Sequence, residues 1–227
     1  MSKVNFDEHA HSYRELLKSS LGLFGKKESF FDLYKMYCIK KWVVNNNQSY
    51  DILDYGCGIG KLSGLLAKDL SQSAVYGYDI SVKSLSVAME ENAGLKNIYF
   101  INELSEERKY DFVVASNVFH HVKSDEHVSV LNKIRKILKP GGKIIIFEHN
   151  PLNPLTRYIV RACPFDADAE LIWQHNFAKL AAASGLRIEL KPYILFFPWA
   201  SKLLRKAEYF LRHIPFGAQY MLVLTCK

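Results

Sequence analysis

Between residues 50 and 148 the chain changes period repeatedly. Short apolar runs at 50–55, 74–78, 97–101, 111–115 and 143–148 are separated by helically spaced stretches at 61–70, 81–92 and 124–138. Near-continuous apolar runs suit strands covered on both faces, which means a parallel sheet between helical layers. Alternation of this kind builds a three-layer αβα fold and argues against helix bundles and sandwiches. Ligands of such sheets bind beyond the carboxyl ends of the strands. The chemistry is therefore expected after Tyr55, Tyr78, Ile101, Ala115 and Phe147.

Composition agrees. The 227 residues are 49% hydrophobic and 23% charged, so the chain can bury a sufficient core without disulfides or a structural metal. Its four cysteines (Cys38, Cys57, Cys163 and Cys226) include no CxxC pair. Neither a zinc site nor a radical iron–sulfur cluster can be read from them, and no metal is expected; reduced thiols in a cytoplasmic protein are the simplest account. No apolar run approaches the roughly 18 residues of a membrane span, and the first residues carry no signal-peptide core. The formal net charge is +7, unevenly spread. Residues 1–50 hold 8 bases and 5 acids, residues 51–186 hold 15 and 16, and residues 187–227 hold 7 and 2. An excess at both ends suits an anionic substrate or an anionic lipid surface as well as a nucleic acid, and phosphate tracking further needs bases clustered on one face.

The sharpest motif is Asp51-Ile-Leu-Asp54-Tyr-Gly56-Cys57-Gly58-Ile-Gly60-Lys61-Leu62, which follows a strand and opens a helix. A phosphate-cradling P-loop would need Gly at 55 and Ser or Thr at 62, where Tyr and Leu stand. A GxGxxG dinucleotide loop starting at Gly56 would need Gly at 61, where Lys stands. The remaining pattern, an acid two residues before GxGxG, resembles the first motif of class I S-adenosylmethionine-dependent methyltransferases. Companions follow in order. Asp79 ends the next strand, and Asn102-Glu103-Leu104 follows the third. Residues 111–122, ending Phe119-His-His-Val122, resemble the fourth-strand motif, and residues 138–147 the turn and fifth strand.

The resemblance covers residues 51–148 well and the rest loosely. It implies one Rossmann-like domain over residues 1–227: lid helices in 1–48, a cofactor core in 49–148, and a substrate loop with a cap and an antiparallel strand pair in 149–227. It implies S-adenosyl-L-methionine as cofactor. Asp54, Gly56, Cys57, Gly58 and Gly60 would hold the homocysteine part, Asp79 the ribose, Ile80, Glu103 and Leu104 the adenine, and Asn117 the methionine part. Tyr13 resembles a lid tyrosine that touches the cofactor.

The acceptor is less legible. Methyl transfer needs alignment and exclusion of water more than a fixed catalytic residue. Paired His120 and His121 are expected to pack at the strand end, one of them toward the cleft. Residues 149–168 form a connection much longer than usual and are expected to be a substrate loop. His149 within it is the candidate general base, with Glu148 orienting it. Residues 192–217 mix aromatics with Lys202, Arg205, Lys206 and Arg212; the segment is expected first as core, and next as the cover of a hydrophobic or anionic small molecule or as a peripheral membrane contact. Nucleic acid is not an expected partner: Ser116-Asn-Val-Phe119 stands where base N-methylating enzymes carry an Asn- or Asp-Pro-Pro-aromatic motif. An RNA methyltransferase and a non-catalytic cofactor binder are the alternatives.

Overall fold

The computed structural model describes residues 28–45, 48–163, 166, 168–197 and 202–227. Helix α1 (Glu28–Trp42) is followed by β1 (Asp51–Tyr55), α2 (Lys61–Asp69), β2 (Ala74–Tyr78), α3 (Val82–Glu91), β3 (Ile98–Ile101) and β4 (Tyr110–Ser116). After a 3₁₀ turn at Phe119–His121 come α4 (His127–Lys136), β5 (Leu138–His149), α5 (Pro154–Ala162) and α6 (Gln174–Ala183). The chain ends with β6 (Leu186–Leu190), β7 (Tyr193–Ile194), α7 (Lys202–Leu211) and β8 (Gln219–Cys226).

The sheet runs β3-β2-β1-β4-β5-β8-β6, with β7 also paired to β8. β1 to β5 pair in parallel, and β8 is antiparallel to its neighbours. Successive strand residues point to opposite faces. Ile52, Phe112, Val114, Ile145 and Phe147 join the core beneath α1 and α2, while Leu53, Val113, Ala115, Ile144 and Ile146 join the core beneath α4 and α6. Both faces are therefore dry, as the unbroken apolar runs required. The strand order reverses beside β1, which pairs β2 on one side and β4 on the other, and this opens a crevice at their carboxyl ends.

Two local expectations need correction. The connection at 149–168 contains α5, because Asn153 caps it by accepting from the Thr156 N–H and Pro154 takes the first turn, where no N–H is needed. The expected strand pair is three strands, because Pro192 cannot donate to a ladder and the chain breaks between β6 and β7. Helix α1 carries Lys35 one turn from Phe31 and Ile39, and Lys35 is buried beside them. Among the described residues no helix is long and apolar enough to cross a membrane.

Candidate active site

The loop between β1 and α2 is built by three glycines in left-handed backbone, Gly56 (φ 73°), Gly58 (φ 53°) and Gly60 (φ 73°). It is fastened to the end of β2. The N–H groups of Gly56 and Cys57 donate to the Tyr78 carbonyl at 2.7 and 2.9 Å, and the Gly58 N–H donates to Asp79 Oδ2 at 2.7 Å. The other Asp79 oxygen accepts from the Ser81 N–H at 2.9 Å. A Cβ on Gly56 would strike Val118, and one on Gly60 would strike Phe100 and Ala88. A Cβ on Gly58 would meet nothing within 4 Å, so the loop presents bare backbone to open space there.

Around this cradle stand most of the residues expected from the sequence. Ile80 is 76% exposed despite being apolar. Glu103 is exposed and Leu104 half-buried, just beyond the end of β3. Asn117 adopts left-handed backbone (φ 57°), donates its N–H to the Phe147 carbonyl at 2.8 Å and accepts from Gln219 Nε2 at 3.2 Å, tying β4 to β8. Tyr13 lies outside the described residues.

Two buried charges sit under the crevice. Asp54 accepts from the Ser63 hydroxyl at 2.5 Å, yet burial pushes its carboxyl up to about 7. Lys35 donates from Nζ to Ser116 Oγ at 2.7 Å. Burial pushes its ammonium down, opposed by Asp32, Glu148 and Asp54. Lys35 was missed in the sequence because one lysine inside an apolar stripe looks like a solvated position.

A second cluster lies at the ends of β4 and β5. Glu148 is buried. Its Oε1 accepts from the Val118 and Phe119 N–H groups at 3.0 and 2.7 Å, and its Oε2 lies 2.6 Å from His120 Nδ1. Glu148 therefore orients His120 rather than His149, correcting the expected pairing. The physical reason lies in side-chain direction: Glu148 and His149 are successive strand residues and point to opposite faces. His120 is fully buried, and its Nε2 stands 3.4 Å from Asp166 Oδ1. His121 Nε2 lies 3.4 Å from the same oxygen, and its Nδ1 lies 3.8 Å from Asp168 Oδ1.

Burial alone would push the His120 imidazole down, but Glu148 and Asp166 hold it up at about 9. Against their own desolvation, Glu148 is held low by His120, and Asp166 by both histidines. His149 packs against the His120 ring with centroids 5.1 Å apart, and burial and the His120 charge push it down to about 4.

Beside Asp166 opens a cavity of about 440 Å³, lined by Arg157, Val160, Arg161, Asp166 and Trp173 among others. Its arginines come from α5, so the connection read as a substrate loop does carry a cavity wall. What the sequence did not show was the convergence of His120, Asp166 and Glu148, which come from three separate segments.

The sequence profile of the methyltransferase domain matches residues 46–187, from just before β1 into β6. The chain belongs to the methyltransferase-domain family. It is 29% identical over 143 residues to malonyl-[acyl-carrier protein] O-methyltransferase 1 of Ilyobacter polytropus, across 61% of this chain and 52% of that protein. The chain thus spans about half the length of that curated relative. Magnesium protoporphyrin IX methyltransferase from Synechocystis PCC 6803, crystallised with bound SAH, superposes with a TM-score of 0.67 at 16% identity, covering 97% of each chain. A protein solved in complex with the Haloferax volcanii Trm112 methyltransferase activator gives 0.71 at 15% identity, covering 100% of this chain and 99% of that one. At these identities the structural likenesses carry the fold alone. S-adenosylmethionine is the cofactor of this class of methyltransferase domain. The loop fits it: bare backbone at Gly58, a fixed carboxylate at Asp79 and an exposed apolar side chain at Ile80 lie along one rim.

Proposed function

We propose that this methyltransferase-domain protein transfers a methyl group from S-adenosylmethionine to an anionic small molecule held beside α5. The observation that carries the acceptor class is the cavity of about 440 Å³ lined by Arg157, Arg161 and Trp173. Two guanidinium groups beside an aromatic wall suit a carboxylate or other oxyanion on a partly apolar body. The Ilyobacter relative is named as an O-methyltransferase of malonyl-[acyl-carrier protein], which is in keeping with such an acceptor.

Bound along the glycine loop, the cofactor supplies a methyl group already activated by its sulfonium. Gly58 and Asp54 would hold its amino-acid end, Asp79 its ribose, and Ile80 with Leu104 its base. Lys35 and Asp54 lie buried below and set the charge of that end of the crevice. The protein's contribution is alignment of the acceptor and exclusion of water. An acceptor that arrives as an oxyanion needs no base. For one that presents a hydroxyl, His149 is the proton acceptor we assign, and its loss then costs about 100-fold in turnover.

Leu155, Tyr158 and Phe216 are exposed, and Asn153 Nδ2 at the start of α5 donates to the Phe216 carbonyl at 2.7 Å, which ties the Phe216 backbone to that end of the helix. They support a hydrophobic tail on the acceptor or contact with a lipid surface. Transfer of radiolabelled methyl groups to a panel of carboxylic, phenolic, amine and RNA acceptors tests the reading. Turnover of a carboxylate or phenolate, with KM raised about 10-fold in Arg161→Ala, supports it; turnover confined to RNA or to cationic amines overturns it.

A further inference from the structure

We propose that His120, His121 and Asp166 form a binding site for a divalent transition-metal cation, with zinc the ion that the donor set suits best. The site goes beyond the methyl-transfer reading and does not depend on it. The three residues each offer one ligand atom, and those atoms all lie within 4.8 Å of one another. Tetrahedral zinc with bonds of about 2.0–2.1 Å places its ligands roughly 3.3 Å apart. Two of the separations already have that value: Asp166 Oδ1 is 3.4 Å from His120 Nε2 and 3.4 Å from His121 Nε2.

A buried donor atom independently points to a ligand. His120 Nε2 is enclosed, yet it makes no hydrogen bond among the described residues, because its approach to Asp166 lacks hydrogen-bond geometry. Its other nitrogen is held by Glu148 Oε2 at 2.6 Å. A carboxylate on Nδ1 that leaves Nε2 directed at a shared centre is the arrangement by which proteins orient a histidine toward a metal. Glu148 is itself fixed by the Val118 and Phe119 N–H groups, so the histidine is set before any ion arrives. Glu148, Asp166 and Asp168 also surround the centre with negative charge, which a divalent cation would balance.

Two histidines and one carboxylate leave at least one coordination position open, as in catalytic rather than structural sites. Asp166 lines the cavity that holds Arg157 and Arg161, so the ion would lie in its wall. There it would offer a Lewis-acid contact to an oxyanion steered in by the arginines. Cysteine spacing gave no hint of a metal, because this ligand set contains no cysteine and is assembled by the fold from residues far apart in the chain.

The test uses tag-free protein stripped with chelator and then freed of it. Zinc chloride is titrated in by calorimetry, and cobalt(II) chloride by visible absorption. We expect one ion per chain and the intense visible bands of four-coordinate cobalt. Glu148→Gln should weaken zinc about 10- to 100-fold, and His121→Ala and Asp166→Asn should weaken it further. Circular dichroism and S-adenosylhomocysteine binding should be unchanged in His121→Ala, whose ring is partly exposed, which separates loss of the ion from loss of the fold. Absence of zinc heat and of cobalt bands overturns the site, as does stoichiometry unchanged in both ligand variants. Loss of S-adenosylhomocysteine binding with zinc binding intact would count against the methyl-transfer reading instead.

Discussion

Substituting Asp54 by Asn tests whether the crevice carries a stored electrostatic cost. The side chain is buried and its carboxyl is pushed up to about 7 from an ordinary 3.8. Because the folded state keeps this proton to a higher pH than the unfolded chain does, stability falls as pH rises from about 4 through about 7. Once the carboxylate is fully ionised, the raise corresponds to a cost of about 4 kcal/mol. Asparagine keeps an acceptor for the Ser63 hydroxyl, has no proton to lose, and adds an amide donor that costs about 1–2 kcal/mol where it finds no partner. Relative to wild type, Asp54→Asn should therefore gain about 3 kcal/mol between pH 4.5 and 8.5, ending more stable at the alkaline limit. Urea denaturation of both proteins at four or five pH values measures this. The same variant should bind S-adenosylhomocysteine about 10-fold more weakly, since one charged hydrogen bond is lost. A stability difference that does not change with pH would refute the reasoning, because the carboxyl would then not be the group that titrates.

Lys35→Met removes the cation that opposes the raised Asp54, so the midpoint of the wild-type pH dependence should move above 7; a midpoint that stays or falls removes Lys35 from the account. Gly58→Ala adds a methyl group that meets no protein atom, so it should cost only about 1–2 kcal/mol of backbone strain. It should nevertheless weaken S-adenosylhomocysteine binding by about 10-fold or more, whereas Gly60→Ala, which strikes Phe100, should lower the melting temperature clearly. Arg161→Ala should raise KM for an anionic acceptor about 10-fold with cofactor affinity unchanged; equal affinity in kinetic assays would move the acceptor elsewhere. Sedimentation with anionic and neutral liposomes should pull down wild type but not Phe216→Ser in the anionic case, and no sedimentation with either lipid removes the membrane contact.

The fold was legible because its signals are local. Apolar runs buried on both faces, the helically spaced stretch at 81–92 and the acid-x-GxGxG loop each depend on a few neighbouring residues, and the structure has all three. The helix α5 was missed although Asn153-Pro154 is a sound start signal, because the whole stretch 149–168 read as one long loop. Lys35 escaped notice because helical periodicity says which face is buried, not whether a charge on that face finds Ser116. The pairing of Glu148 with His120 needed β5 to lie beside β4, with Ser116 opposite Phe147, and no spacing along the chain encodes that register. The same holds for Asp166, which meets the two histidines only after α5 has turned the chain back.

Calorimetric titration of the purified chain with S-adenosylhomocysteine tests the central claim most directly. The account predicts one site per chain, with binding weakened about 10-fold or more in Gly58→Ala while the far-ultraviolet circular dichroism is unchanged. No measurable binding by the wild-type protein, or binding indifferent to Gly58→Ala, would contradict it.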